Sequence, residues 1–443
     1  MRIFYWSMAA LLVCSPILGA QSDSAARSKA RFDSLAKAAR DSIALMKELG
    51  GALTADTTAG RGPRTPTGPQ TGPQTGPTNP RLLPDISAVG DLVADLSPKG
   101  STQDDGTRFG VREVELAVQA VVDPYFRGDI FLGISDLEGI GIEQAYLTST
   151  SLPHQLEARF GRFLMPFGKQ NTTHRHDLHT IEYPYVIQRF LGAEGLKGTG
   201  IMGSRVFAPF GFYQELQVIA VDRLGERTDG ISSAEPVNKS LAGLGYSARL
   251  RNYVDLSEAA NFELSFSGIT GKREQPLDDA YARQLQNGIS AALARQTIIG
   301  ADLTYRWRPL LQGIYRSFIL QGEVMRQINE RSPGIPSTTG CVSCASASLG
   351  YAGPERDFTG AYVFARYQTG QRTFIGSRYD FLQDQEADGR TQHAGSVYLE
   401  WFPSEFSKLL AGYEAVSPSG GTLVNRLLLQ AVFSLGPHKP HPF

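Results

Sequence analysis

The chain has 443 residues, and its 43 Lys and Arg balance 44 Asp and Glu, which gives a formal net charge of -1. This balance provides no basic field for nucleic acid, so we expect no nucleic-acid partner. Mean hydropathy is -0.20, and no run after the first twenty residues approaches the roughly 18 consecutive apolar positions of a membrane-spanning helix, which excludes a bundle of such helices.

Residues 1–20 have the pattern of a signal peptide. A positive start at Arg2 precedes a mostly apolar stretch over 3–13 and the small residues that lead to Gln21. Cys14 follows Val13, a poor residue before a lipidated cysteine, so we expect Cys14 to leave with the signal. The alternative is a buried N-terminal helix or strand.

Residues 21–51 predict an amphipathic periplasmic helix that ends at Gly50-Gly51. Its apolar positions recur at spacings of three and four: Phe32, Leu35, Ala39, Ile43, Met46 and Leu49. One such stripe cannot bury itself, which leaves a short trimeric coiled coil and a marginal helix without a partner as alternatives. Residues 52–84 are rich in Pro, Gly and Thr and predict a disordered linker.

From residue 85 to residue 436 the apolar period changes to two. Ile299, Ala301 and Leu303, for example, alternate with Gly300 and Asp302. We predict about sixteen strands, with short turns after even-numbered strands and mostly long loops after odd-numbered ones, over 167–195, 271–294 and 329–355. This asymmetry indicates an all-β fold, a transmembrane antiparallel β-barrel in a bacterial outer membrane, followed by a C-terminal tail over 437–443.

Aromatic residues fall near the predicted strand ends, where a girdle at the lipid headgroups would place them. They include Tyr305, Trp307, Tyr367, Tyr379 and the stretch 398–402. The last predicted strand would seal the barrel edge. We expect outer-membrane lipid and the barrel-assembly machinery as partners.

Three stretches carry a resemblance to a known family. They are Glu143–Leu147 (EQAYL), Leu156–Gly168 (LEARFGRFLMPFG) and Glu194–Leu196 (EGL). They resemble the porin superfamily that includes the phosphate-selective porins O and P, and also proteins labelled zinc-regulated outer-membrane receptors. The resemblance implies a homotrimer and a long loop, here Lys169–Gly195, that folds into the lumen and narrows the channel. No lysine ladder is present, so phosphate specificity is not carried over.

The charged residues of this loop are candidates for a pore constriction: Lys169, His174, Arg175, His176, Asp177, His179, Glu182, Arg189 and Glu194. Residues on the polar face of the strands are candidates for the pore lumen: Glu113, Glu115, Arg249, Arg251, Glu263, Asp302, Arg306, Arg308 and Glu323. In a narrow pore such charges decide which ions pass, because they replace part of the hydration shell of the solute.

The histidines 174, 176 and 179 also suggest a metal site. Their spacing matches no strong zinc signature, so we favour hydrogen bonding within the pore and predict no metal and no cofactor. Cys341 and Cys344 lie in a loop of an oxidised compartment and predict a local disulfide. The chain has no Gly-x-Ser-x-Gly motif and no nucleophile with a positioned base, so we predict no enzyme.

The sequence therefore predicts a porin for passive diffusion of small hydrophilic or ionic solutes. Two alternatives remain open: a gated outer-membrane receptor or transporter for a metal or an anion, and a structural envelope protein.

Overall fold

The computed structural model describes residues 84–103, 106–135, 139–149, 151–225, 241–276, 291–331, 355–384 and 390–436. The predicted signal peptide, periplasmic helix, linker up to residue 83 and C-terminal tail lie outside the described residues, as does the predicted disulfide between Cys341 and Cys344.

Sixteen strands form the described part of the chain. They are β1 (Asp85–Asp95), β2 (Phe109–Val121), β3 (Phe126–Ser135), β4 (Gly139–Ser149), β5 (Leu156–Leu164), β6 (Lys197–Phe207), β7 (Tyr213–Val221), β8 (Gly245–Ser257), β9 (Ala260–Pro276), β10 (Ala291–Trp307), β11 (Phe318–Arg331), β12 (Glu355–Gly370), β13 (Thr373–Asp384), β14 (Arg390–Ser404), β15 (Ser407–Ser417) and β16 (Val424–Leu435). One short helix, α1 (Tyr185–Phe190), lies between β5 and β6.

The strands close into one antiparallel barrel in which each strand pairs with its sequence neighbours and β1 pairs with β16. This confirms the predicted fold and strand number. Closure leaves no strand edge without a hydrogen-bonding partner, which is the condition for a sheet to exist in a medium without water. Within the described residues no helix is both long and apolar enough to span a membrane.

The two faces of the barrel wall differ in polarity as the alternation predicts. On β10 the inner residues Asp302 and Thr304 are 1% and 0% exposed, whereas Ile299 on the outer face is 48% exposed. The same parity holds on β14, where Glu400 is buried and Leu399 is exposed. The wall therefore presents an apolar surface outside and a polar surface to its lumen.

Several strand boundaries differ from those that the alternation predicts. The expected turn at Pro403-Ser404-Glu405 is shorter, because β14 continues to Ser404 and the hydroxyls of Ser404 and Ser407 lie 2.9 Å apart across the turn. Strand β8, predicted over 239–253, begins at Gly245 and runs to Ser257. Residues 254–257 (VDLS) continue the ladder with β9 up to the two-residue turn before it.

Of the residues predicted for the aromatic girdle, Tyr367, Tyr379 and Trp401 lie on the outer face, where they are exposed. The prediction was wrong for Tyr398 and Phe402, which are buried on the inner face. Both positions have the inward parity of β14, so proximity to a strand end did not decide their orientation.

The parity of β10 yields a stability test. Leu303 lies on the outer face, level with Leu264 and Gly322 on the neighbouring strands. We expect Leu303→Arg to destabilise the barrel by about 2–4 kcal/mol, because it places a charge on the lipid face. Leu311→Arg is the matched control, since Leu311 is 98% exposed in the turn after β10. Denaturant unfolding in lipid vesicles measures both variants, and equal effects would contradict the assigned faces.

Candidate functional site

The segment between β5 and β6, residues 165–196, is the inner loop. It leaves the wall after Leu164 and returns at Lys197, and its ends are joined by a hydrogen bond of 2.9 Å from the Met165 amide to the Leu196 carbonyl. The Asn171 side chain fastens the same ends: its amide donates to the carbonyls of Met165 (2.7 Å) and Leu196 (3.1 Å), and its oxygen accepts from the Leu196 amide at 2.7 Å.

Two glycines of the resembling stretch permit close approaches at the start of this loop. Gly161 has φ +130, and a Cβ there would lie 2.1 Å from the carbonyl oxygen of Ala145 on the neighbouring strand. Gly168 has φ +60, and a Cβ there would lie 1.9 Å from a carboxylate oxygen of Glu323 on the far wall. Only glycine fits both the backbone conformation and the space.

The inner loop carries an apolar core that packs against the inside of the wall. Its members are at most 2% exposed: Phe167, Leu178, Ile181, Tyr183, Val186, Ile187, Phe190 and Leu191. Wall glycines make room for it, because a Cβ at Gly360 would lie 2.5 Å from Val186 and a Cβ at Gly412 would lie 3.0 Å from Ile181. The inner loop is therefore a folded element that lies inside the lumen.

Polar side chains of the wall satisfy the backbone of the inner loop from several directions. Arg112 donates to the carbonyl of Ile181 at 2.8 Å, and Gln296 donates to that of Phe190 at 2.8 Å. Further donors reach the carbonyls of residues 176, 178 and 182, and they come from two more strands: Lys408 on β15 and Arg378 on β13. These contacts come from β2, β10, β13 and β15, so the loop is anchored across the lumen.

Glu182 is the centre of one ion-pair cluster. Its carboxylate lies 3.0 Å from Arg175 within the loop, 3.5 Å from Arg426 on β16 and 4.0 Å from Arg112. Burial alone would raise its pKa, but the three guanidinium groups outweigh burial and lower the pKa to about 2. Glu182 therefore stays ionised and ties the loop to the wall.

A second cluster surrounds Glu263, whose side chain is fully buried. Lys169 from the loop lies 3.1 Å from both carboxylate oxygens, and Arg251 donates to them at 2.9 and 3.1 Å. Arg249 and Arg306 each lie 3.7 Å away. Lys169, predicted for the pore constriction, thus meets four residues predicted for the pore lumen in this cluster: Arg249, Arg251, Glu263 and Arg306.

Two further predicted lumen carboxylates lie beside this cluster. Asp302 accepts from Arg249 at 3.4 Å. Glu323 accepts from the backbone amide of Gln170 and from the Tyr362 hydroxyl, both at 2.7 Å. Both carboxylates are buried.

Acidic groups collect on the opposite part of the wall, near the long-loop end of β2 and β4. A Cβ at Gly133 would lie 3.0 Å from a carboxylate oxygen of Glu113 and 3.2 Å from one of Glu143, so both carboxylates contact the same wall position. Lys197 forms ion pairs with Glu143 and, at 3.0 Å, with Glu194.

The three loop histidines divide between two places. His174 Nδ1 lies 2.6 Å from a Glu115 carboxylate oxygen, and its ring is 5.5 Å from that of His176. His179 instead lies 3.6 Å from Glu400 and stacks on Phe364. The three histidines therefore do not converge on one site. The described residues contain one group whose ligand atoms lie within 4.8 Å of one another, and it combines His174 and His176 with Glu115.

The surroundings shift the pKa values of the three imidazoles in different directions. Burial opposes the charged form of His174, but the hydrogen bond and the charge of Glu115 outweigh it and raise the pKa of His174. Burial lowers the pKa of His176. Burial and the nearby charge of Arg366 lower the pKa of His179.

The remaining predicted site residues lie apart from these clusters. Arg189 pairs with Asp384 on β13 at 3.4 Å, and Asp177 lies 3.7 Å from His176. Arg308 was wrongly assigned to the lumen. It follows the last residue of β10, is exposed, and donates to the Gly313 carbonyl at 2.8 Å within the turn.

Sequence reasoning missed the wall residues that hold the loop, namely Arg112, Gln296, Arg378 and Lys408, and also Asn171. The inward parity of Gln296, Arg378 and Lys408 was readable, whereas Arg112 has the outward parity of β2 and turns inward at a bulge in the pairing with β1. Their partners are backbone carbonyls of a distant segment, which leave no pattern in the sequence.

No protein-family profile matches the chain. A relative from Aquifex aeolicus (strain VF5), named only as an uncharacterized protein, is 26% identical over 354 residues, which is 76% of this chain and 70% of the relative.

Among solved structures, the anion-selective porin from Comamonas acidovorans matches with a TM-score of 0.50 and 11% identity over 80% of this chain and 99% of that chain. OprB of Pseudomonas putida has a TM-score of 0.48 at 10% identity and covers 80% of this chain and 94% of its own. The outer membrane channel DcaP of Acinetobacter baumannii has a TM-score of 0.47 at 14% identity, over 80% and 96%. The Comamonas match shows that this chain has the fold of an outer-membrane porin.

The cluster at Glu182 gives a pH-dependent prediction. Because the folded-state pKa is lowered from 4.5 to about 2, the ionised carboxylate stabilises the fold above pH 4.5, and this contribution is lost as the pH falls towards 2. We expect up to about 3 kcal/mol from this group. Unfolding of the wild type and of Glu182→Gln, compared at pH 7 and pH 3, should give a smaller loss for the variant. An identical loss in both proteins would show that Glu182 does not anchor the loop.

Proposed function

We propose that the chain is a porin of a bacterial outer membrane, through which small hydrophilic or ionic solutes diffuse passively past the inner loop. The observation that carries the proposal is a folded loop fixed across the lumen of a closed barrel whose inner face is charged. A structural anchor needs no charged lumen, so this observation favours diffusion of solutes.

Several charged or titratable side chains in the lumen are exposed to solvent, which supports an aqueous path through the barrel. The side chains of Arg251 and Arg306 are 31% and 35% exposed, and that of His179 in the inner loop is 32% exposed. Arg251 and Arg306 face the lumen, because they lie on the inner parity of their strands, and His179 lies beside Glu400 on the inner face of β14. A solute that passes them exchanges part of its hydration shell for contacts with the wall.

The anchoring of the inner loop favours a permanent constriction over a gate. Its backbone is held by Arg112, Gln296, Arg378 and Lys408, which lie on four different strands. Movement of the loop would leave these buried donors and the loop carbonyls without partners, at a cost of about 1–3 kcal/mol each. We therefore prefer a constitutive porin to the gated receptor or transporter.

Charges of both signs line the lumen at two levels. Near the turn end of β9, the basic region of Lys169, Arg251 and Arg306 surrounds Glu263. Near the long-loop ends of β2 and β4 lie the carboxylates of Glu113 and Glu143. Arg112 and Arg426 lie at the same end, on β2 and β16. This mixed field supports a general ionic pore, and it does not support the phosphate-specific subtype, because Glu263 partly neutralises the basic region.

The proposal extends to a homotrimer of the barrel. The outward residues of β1 are small or aliphatic: Ile86, Ala88, Gly90, Leu92 and Ala94. Outward aromatic residues occur instead on later strands, at Tyr305, Tyr379 and Trp401. A wall without headgroup-anchoring aromatics suits contact with another subunit.

Removal of the loop tests the constriction. We expect deletion of residues 170–192 to raise single-channel conductance about twofold or more, because the apolar core that occupies part of the lumen is removed. The ends of the deletion lie close together, since Met165 and Leu196 are hydrogen-bonded. Heat-modifiable migration identifies correctly folded barrels of wild type and variant. Unchanged conductance of the folded variant would refute the constriction.

The basic region gives a separate test of selectivity. Arg251→Ala and Arg306→Ala should each move the reversal potential in a salt gradient towards cation preference, because each removes a water-exposed positive charge from the lumen. Arg326→Ala is the control: Arg326 lies near the end of β11, outside the basic region, and pairs with Asp357. An equal shift in all three variants would show that the effect does not arise in the lumen.

A further inference from the structure

The inner loop and the wall bring three metal-binding side chains together. We propose that Glu115, His174 and His176 form a site for a divalent transition metal of the Zn2+ type, which would bind between loop and wall. One potential ligand atom from each residue lies within 4.8 Å of the other two. The inference goes beyond diffusion, because binding at this site does not require that the barrel conducts.

The geometry is close to that of a zinc centre. Zinc lies about 2.0–2.2 Å from nitrogen and oxygen ligands, so tetrahedral ligand atoms are roughly 3.3–3.5 Å apart. His174 Nδ1 and the Glu115 carboxylate are closer than this, at 2.6 Å. The ring of His176 is 5.5 Å from that of His174. Shifts on the order of 1 Å would bring all three residues to bonding distance.

The donor set selects the class of metal. Two imidazoles and one carboxylate suit Zn2+ and similar transition ions, whereas Mg2+ and Ca2+ prefer oxygen ligands. The three residues leave a fourth position open for water or for a solute in the lumen. Glu115 and His176 are each 2% exposed, so competition from bulk water is limited.

The surrounding charge favours a cation. Asp177 lies 3.7 Å from His176, and the carboxylates of Glu113 and Glu143 lie on the same part of the wall. Lys197 supplies a positive charge there, through its pairs with Glu143 and Glu194, and Lys408 supplies another, because it donates to the backbone carbonyl of His176. The carboxylates of Asp177, Glu113, Glu143 and Glu194 outnumber these two ammonium groups, so the local potential attracts a divalent ion.

Gln144 contacts His174, one of the proposed metal ligands, so a substitution of Gln144 can test the site. Its carbonyl oxygen accepts from the Leu164 amide at 3.0 Å, and its amide nitrogen lies 2.8 Å from His174 Nε2. This contact directs Nδ1 of the ring towards Glu115. Coordination through Nδ1 places the imidazole proton on Nε2, which then needs an acceptor. Gln144→Glu would supply one oxygen for Leu164 and one for His174, as in carboxylate–histidine–zinc arrangements.

The test is calorimetric titration of the refolded full-length protein with ZnCl2. We expect about one Zn2+ per chain. Glu115→Gln and His176→Ala should weaken binding about 10-fold or more, whereas Gln144→Glu should strengthen it. His179→Ala is the matched control, because His179 belongs to the same loop but lies beside Glu400. MgCl2 should give no saturable binding.

Two results would overturn the site. One is the absence of saturable Zn2+ binding to folded wild type. The other is Zn2+ binding that Glu115→Gln and His176→Ala leave unchanged, which would place the ion elsewhere on the chain. Heat-modifiable migration confirms folding, and His174→Gln replaces any variant that does not fold. Because calorimetry requires no current, failure of this site and failure of the porin proposal are distinguishable.

Discussion

Closure of the sheet between β1 and β16 is the constraint on which the rest of the structure depends. Strands in a membrane must satisfy every backbone donor and acceptor within the protein, and only a ring of strands achieves this without an edge. The sheet cannot close unless each strand keeps its register, and the alternation of apolar and polar residues fixes that register. Closure thereby creates an apolar exterior and a polar interior from the same strands. The polar interior is the surface on which the inner loop and the ion pairs are built.

The inner loop and the lumen wall depend on each other. The loop brings an apolar core into the barrel, but its backbone carbonyls need donors that an apolar wall could not provide. Arg378 and Lys408 supply such donors, and Glu182 in the loop returns a carboxylate to Arg112 and Arg426. The interior charges consequently have two roles: those buried against the loop hold it in place, and those still in contact with water define the field that a solute meets. The division between these roles follows from burial, because a desolvated ion pair has little field left to offer a passing ion.

The sequence predicted the barrel well because its determining pattern is local. Alternation on β10 identifies Asp302 as inward and Leu303 as outward, and glycines such as Gly161 and Gly168 mark close approaches. The pattern could not orient residues beyond the end of a strand, so Arg308 was placed in the lumen although it lies in the turn. It also could not separate His179 from His174, because their positions depend on which wall strand each part of the loop contacts. Such contacts join positions far apart in the chain, and neither spacing nor composition encodes them.

The most direct test is the single-channel current of the unaltered, refolded protein in a planar bilayer with a salt gradient. A barrel with a fixed internal constriction and a charged lumen predicts steady steps proportional to voltage, with a reversal potential different from zero. A correctly folded, heat-modifiable barrel that carries no current would contradict the account, because the inner loop would then close the lumen instead of narrowing it.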